Sequence, residues 1–241
     1  MNTAVGTRRR RERQKDNLRR AILDAARELF VTESFDAVTM RKIAAAIEYS
    51  PTTIYLHFAD KEAILDALCE EGFGLLAERL RQAATVPDPI ERLRQTAACY
   101  FNFAREHRSY YTIMFEMKEN PLGKHGGDPS YEHEKSMPYQ TFAFLVATAS
   151  DAIQQGRIPA SVIESLQKKI THFDVSTVPE EAWISPLAPE VILGHVIWAG
   201  MHGITSLWLS GRLKMLPDEA HAILLESTVE NILRGLTCAT D

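Results

Sequence analysis

Residues 39–61, TMRKIAAAIEYSPTTIYLHFADK, read as two short helices joined by a three-residue turn, the arrangement that holds one helix out toward a DNA groove. Thr39 supplies an N-cap hydroxyl, and Met40, Ile43, Ala44 and Ile47 recur at helical spacing behind it. Glu48 and Tyr49 interrupt that pattern. Ser50 then caps a second helix with Pro51 at its first position, while Tyr49 stands where a staple onto Ile54 forms. Ile54 and Phe58 mark the inward side of this second helix. Pro51, Thr52, Thr53, Tyr55 and His57 mark the outward one, small or hydrogen-bonding groups suited to phosphates and base edges.

The flanking sequence completes a small core. Leu18, Ala21, Ile22, Ala25, Ala26, Leu29 and Phe30 form an apolar stripe on a preceding helix that can cover the pair. Asp60 caps a following helix whose first residue is Lys61. A cation there opposes the helix dipole, so a DNA phosphate is its expected partner. Two capped helices also occur in all-helical proteins that never touch DNA, so the shape alone leaves both readings open.

The residues resemble a family. Ile22, Leu23, Ala25, Ala26, Leu29, Phe30, Val38, Thr39, Met40, Ile43, Ala44, Ser50, Thr53, Ile54, Tyr55, His57, Phe58, Lys61 and Glu62 resemble the N-terminal signature of TetR-type transcriptional regulators, over about a quarter of the chain. The resemblance implies an all-α protein with a three-helix DNA-binding head. It also implies a larger C-terminal helical domain that binds a ligand and dimerises. By that resemblance Thr39, Ser50, Thr53, Tyr55, His57 and Lys61 touch DNA; Arg41, Lys42, Pro51 and Thr52 join them on charge or exposure. The expected segments are a basic flexible arm (1–16), the DNA-binding domain (17–62, with the two-helix unit at 39–58) and the effector and dimerisation domain (63–241). Ser34 and Glu48 stand where the family usually has glycine, which predicts left-handed dihedrals at both.

Charge follows the same division. The chain carries a formal −5, yet residues 1–62 hold 12 Lys plus Arg against 9 Asp plus Glu, a net +3, leaving 15 against 23, or −8, for the rest. Arg8, Arg9, Arg10, Arg11, Arg13, Lys15, Arg19 and Arg20 face only Glu12 and Asp16. Like-charge repulsion predicts an unfolded arm through about Asp16 that neutralises phosphates or enters a narrow minor groove. A solvated tail is the alternative.

Other classes find little support. Cys69, Cys99 and Cys238 are far apart, with neither metal spacing nor an even disulfide set, so reduced thiols and a cytoplasmic location are expected. Charged residues interrupt the Leu18–Phe30 stripe, and no export signal is legible. Val191–Leu209 is uncharged and long enough for a membrane span. It nevertheless contains His195, His202 and three glycines, and it precedes an amphipathic helix bearing Leu225, Val229, Ile232, Leu233 and Leu236. It is therefore read as an interior helix and no membrane partner is expected. By resemblance, helices near 189–211 and 217–235 form a homodimer interface.

No metal or cofactor is expected. His195 and His202 lie roughly 10 Å apart by helix rise, too far to grip one ion alone. His125, Asp128, His133 and Glu134 form only a loose polar grouping. G-x-S-x-G, H-E-x-x-H and a phosphate-cradling glycine loop are missing, which argues against an enzyme.

Helices are expected elsewhere: from the Asp88 cap through Ala104, a short aromatic one over Tyr110–Met117, Pro138–Gln155, and Ser161–His172. Lys118–Met137 reads as a loop, and the rest of Gly156–Pro189 as irregular. Strand alternation and internal repeats do not appear. Tyr100, Phe103, Ala104, His107, Tyr111, Met114 and Phe115, with Trp198, His202 and Gly203, resemble the TetR-associated domain named for its Trp, His and Gly. Arg108 departs from it where proline is common. Tyr100, Phe103, His107, Tyr111, Met114, Phe115, Phe142, Trp198 and His202 are the expected lining of a site for a small, largely apolar effector. Aromatic residues at such spacing also build plain cores. The functional reading is a ligand-released repressor on a palindromic DNA operator, the alternative a helical dimer acting through protein contacts without DNA.

Overall fold

The computed structural model describes residues 3–117, 135–170 and 188–238. Among these residues every regular element is helical. The chain divides into two compact units, Met1–Gly72 with Ser109–Gly127, and Phe73–Arg108 with Asp128–Asp241. The predicted boundary at 62/63 therefore differs from the observed one, which falls within a helix and returns residues after 108 to the first unit.

The first unit begins with α1 (Thr3–Thr32), followed by a 3₁₀ turn (Phe35–Ala37), α2 (Met40–Ala46) and α3 (Pro51–Tyr55). It continues into α4 (Lys61–Ala84), whose residues through Gly72 belong to it. Ile22, Ala26, Ile43, Ile54 and Ile64, one or more from each helix, are fully buried together with Phe30 and Phe35, whose rings stack 5.3 Å apart. The N-terminal arm is not unfolded: α1 runs through it. Arg, Lys, Glu and Gln are good helix formers, and extending an existing helix requires no new nucleus. The Arg8–Glu12 pair at 3.0 Å adds a one-turn link.

Glu48 has the predicted left-handed backbone, φ 59°. Ser34 does not; at φ −73° and ψ 152° it is extended, because the chain enters a 3₁₀ turn there instead of ending α1 in a left-handed cap. Among the described residues the remainder of the first unit is aromatic: α6 (Arg108–Tyr111, its first residue in the second unit) leads into a π-helical turn, Thr112–Glu116. Arg27 of α1 donates to the Tyr110 hydroxyl at 2.8 Å and lies 4.9 Å from that ring's centre. The aromatic segment is thereby tied to α1.

The second unit holds the end of α4, α5 (Pro89–Glu106), α7 (Met137–Gln154), α8 (Ala160–Ile170), α9 (Pro189–Leu209) and α10 (Asp218–Thr237). The Asp88 carboxylate caps α5 as predicted, accepting from the Ile90 and Glu91 amides at 2.8 and 3.0 Å. Ser136 caps α7, which begins at Met137, one residue before the predicted start. Gly211, at φ 70°, ends α9. α9 packs against α5, α7 and α10. Its length and apolarity would suit a span, but Val191, Leu193, Ile197, Met201 and Leu209 are buried among these neighbours, and Gly200 leaves the space that Ile232 fills. The polar group His125, Asp128, His133 and Glu134, and most of the 118–137 and 171–187 stretches, lie outside the described residues.

Candidate nucleic-acid interface and effector cluster

The two caps predicted for the DNA-reading helices both form. The Thr39 hydroxyl accepts from the Lys42 amide at 3.2 Å, and Ser50 Oγ accepts from the Thr53 amide at 3.3 Å. Ser50 and Thr53 also share a hydroxyl–hydroxyl bond of 2.9 Å. Each cap satisfies an amide that the first helical turn would otherwise leave unpaired. With Ile54 and Phe58 buried, α3 must turn its other side outward.

On that outer side Thr39, Arg41, Lys42, Ser50, Thr52 and Tyr55 are exposed, and Pro51 and Thr53 half-buried. Arg41 extends from α2, and Lys42 pairs with Glu33 at 2.5 Å. An exposed pair of this kind contributes little, so a phosphate can displace the carboxylate.

Two predicted contacts are placed differently. Lys61 is half-buried, its ammonium donating to the carbonyl oxygens of Phe35 and Val38 at 2.9 and 3.5 Å. The mismatch with the helix dipole thus has an internal cause: Lys61 braces the 3₁₀ turn. His57 is also half-buried, and its Nδ1 meets no hydrogen-bond partner among the described residues. Burial holds its pKa below the usual histidine value, reinforced by the nearby charges of Lys15 and Arg19. Those two cations of α1 act near the end of α3, where the Arg19 guanidinium lies 5.0 Å from the centre of the Phe58 ring.

One residue of the outer side escaped the sequence pattern. Leu56 is 75% exposed, more so than Tyr55 at 55%. Its signal was available: it lies four residues after Thr52 and off the Ile54–Phe58 face.

The predicted effector residues separate between the units. Tyr111 and Met114 are fully buried in the first, and Tyr111 stacks on Phe115 with centroids 5.0 Å apart. In the second, the Tyr100 hydroxyl and His202 Nδ1 are hydrogen-bonded at 3.0 Å. Trp198 lies 5.6 Å from His202, and Phe142 lies 6.2 Å from Trp198. These four, from α5, α7 and α9, form one cluster. Phe103 is buried against His107, at 5.3 Å between ring centres, and His107 Nε2 lies 3.5 Å from an Arg79 nitrogen.

His195 also joins the cluster, 4.5 Å from Phe142, with its Nδ1 2.8 Å from the Val191 carbonyl oxygen. Its spacing to Trp198 and His202, three and seven residues, places all three on one face of α9. No group of three or more metal-ligating side chains occurs among the described residues. Arg108, the departure from proline, donates to the Leu209 carbonyl and so ties the end of α9 to the start of α6.

Comparison with known proteins follows the same two parts of the chain. Residues 22–68 match the family described as bacterial regulatory proteins, tetR family, and residues 93–232 match the tetracyclin repressor-like C-terminal domain. The chain is 32% identical over 114 residues to the HTH-type transcriptional activator FasR of Mycolicibacterium smegmatis, covering 47% of this chain and 52% of FasR. It is 37% identical over 73 residues to the HTH-type transcriptional regulator UidR of Escherichia coli, 30% and 34% of the two chains. The matches thus span about half or less of these relatives.

In fold the chain is similar to the putative regulatory protein SCO4313, with TM-score 0.65 and 20% identity over 92% and 98% of the chains. The ketosteroid transcriptional regulator KstR2 of Mycobacterium tuberculosis gives 0.61 and 18% over 92% and 95%. AibR, in complex with isovaleryl coenzyme A and operator DNA, gives 0.55 and 19% over 91% and 97%. With capped reading helices at one end and a matched C-terminal helical domain at the other, the chain belongs to the TetR family of bacterial transcriptional regulators.

Proposed function

We propose that this protein is a homodimeric repressor that binds a palindromic operator and leaves it when a small, largely apolar effector occupies its C-terminal domain. The exposed outer side of α3, held by the Ser50 cap over buried Ile54 and Phe58, is the observation that carries the DNA reading. Thr39, Arg41, Lys42, Ser50, Thr52, Thr53 and Tyr55 are the proposed contacts. The basic α1 extension adds phosphate neutralisation as a helix, a form that lies along a backbone and does not thread a narrow minor groove. A cytoplasmic location goes with this role.

Dimerisation through α9 and α10 is supported by their outer surface. Val196, Ala199 and Leu207 are exposed at helical spacing on α9, as is Ile223 on α10, and a Cβ at Gly203 would meet nothing within 4 Å. Small and apolar groups there suit close approach of a second copy. Two heads about 34–36 Å apart would read successive turns of one DNA face. An effector preferring another separation lowers DNA affinity by its difference in affinity for the two states.

For the effector, the Tyr100, Phe142, His195, Trp198 and His202 cluster offers aromatic surface with a few polar atoms. Trp198 and His202 of this cluster, with the neighbouring Gly203, resemble the subgroup named for its Trp, His and Gly. KstR2, a ketosteroid transcriptional regulator, and AibR, solved in complex with isovaleryl coenzyme A, support an apolar ligand part. The alternative of a helical dimer without DNA binding is not favoured by the matched N-terminal domain.

Fluorescence anisotropy with the DNA upstream of the protein's own coding sequence tests this reading. Saturable, salt-sensitive binding by a dimer, reversed by compounds that raise its melting temperature, is expected. A monomer at micromolar concentration, or no preference over random DNA, would refute it.

A further inference from the structure

We propose that Leu56 reads thymine, packing its side chain against a C5 methyl group in the major groove of the operator. The inference rests on the DNA-binding reading above and adds a specificity-determining residue to it.

Leu56 follows the last residue of the five-residue α3 and is 75% exposed, so the folded head gains little by burying it. Thr52, Tyr55 and Leu56 are related by three and four residues and share one side of the helix, opposite buried Ile54 and Phe58. Its surroundings are those of a polyanion-facing surface. Thr52 and Tyr55 present hydroxyls, Arg41 and Lys42 extend from α2, and the charges of Lys15 and Arg19 act on His57 next to it.

An apolar protein partner would want apolar neighbours around such a residue, and this rim is hydroxylic and cationic. DNA supplies both matching features: phosphates for the rim and, among the major-groove base edges, the thymine methyl for the leucine. Tyr55 and Thr52 then position the head through hydrogen bonds, while Leu56 distinguishes T from C by the methyl it desolvates.

The test uses the full chain and an operator selected from a random DNA pool. Each thymine of one half-site is replaced in turn by deoxyuridine, which removes only the methyl. For the wild type, one such replacement should weaken binding about fourfold, the effect of losing one buried methyl-sized group. Leu56→Ala, whose melting temperature should match the wild type, should bind the thymine and deoxyuridine duplexes equally, and Leu56→Met should keep the preference.

Lower salt raises the affinity for both duplexes, so the ratio is measurable in a weakened variant. Indifference of the wild type to every replacement, or full discrimination retained by Leu56→Ala, overturns the proposal while leaving the regulator reading intact. A pool that never enriches defeats both.

Discussion

The Lys61 ammonium donates to the Phe35 carbonyl oxygen at 2.9 Å and lies 4.1 Å from the centre of the Phe35 ring, joining the start of α4 to the turn between α1 and α2. Lys61→Met keeps the stem and removes both interactions. It should destabilise the protein by about 1.5 kcal/mol, the lower part of the range for a hydrogen bond to a charged group. Urea unfolding checks this. At temperatures where both proteins are folded, the salt slope of DNA binding should be unchanged; a slope reduced by about one would return Lys61 to the phosphate contacts.

At the turn between α2 and α3, Glu48 adopts φ 59° with a full side chain. A left-handed residue with a Cβ costs about 1–2 kcal/mol, and glycine returns about 0.4–1 kcal/mol of that through unfolded-state entropy. Glu48→Gly should therefore raise stability by up to about 1 kcal/mol relative to Glu48→Ala, read as a higher melting temperature.

Gly72 permits a close approach. A Cβ there would meet Met114 Sδ at 2.5 Å and Tyr110 Cδ1 at 3.2 Å. Met114 is fully buried and must shift to make room. Gly72→Ala should destabilise by about 1–3 kcal/mol, as overpacked sites do, in thermal unfolding. Pairing it with Met114→Ala should recover part of the loss caused by Gly72→Ala.

Asp88 gives stability a pH dependence. The Glu91 amide hydrogen bond, with help from Arg157 and the Ile90 amide, holds its carboxyl below the usual carboxylate range. A folded-state pKa below the unfolded one gives stabilisation that is present above the unfolded value, near 3.9, and lost as pH falls through the folded one. Asp88→Ala should therefore lower stability by about 1 kcal/mol at pH 7, with the difference shrinking in acid. Urea midpoints from pH 7 to pH 3 measure it.

Much of the reading head was legible because its signals are local. Thr39, Ser50 and Asp88 cap the helices they precede, since a cap acts within three residues of itself. The effector set was legible only in part. The resemblance to the Trp-His-Gly domain marked Tyr100, Trp198 and His202, but side-chain spacing along one helix carries no information on which helices meet. Sequence spacing placed His195 too far from His202 to share an ion and gave it no other role; its place beside Phe142 follows from α7 packing on α9.

The sequence alone determined the helical class and the two DNA-reading helices, because caps and apolar spacing act between near neighbours, whereas the left-handed turn at Glu48 was legible only through the resemblance to a family that usually has glycine there. Tertiary structure decided that Ser34 is extended, that Lys61 braces Phe35 and Val38, and that Leu56 stands in solvent. Each of these depends on what arrives from a distant part of the chain, or on a face being left uncovered, and side-chain spacing along one segment does not encode that.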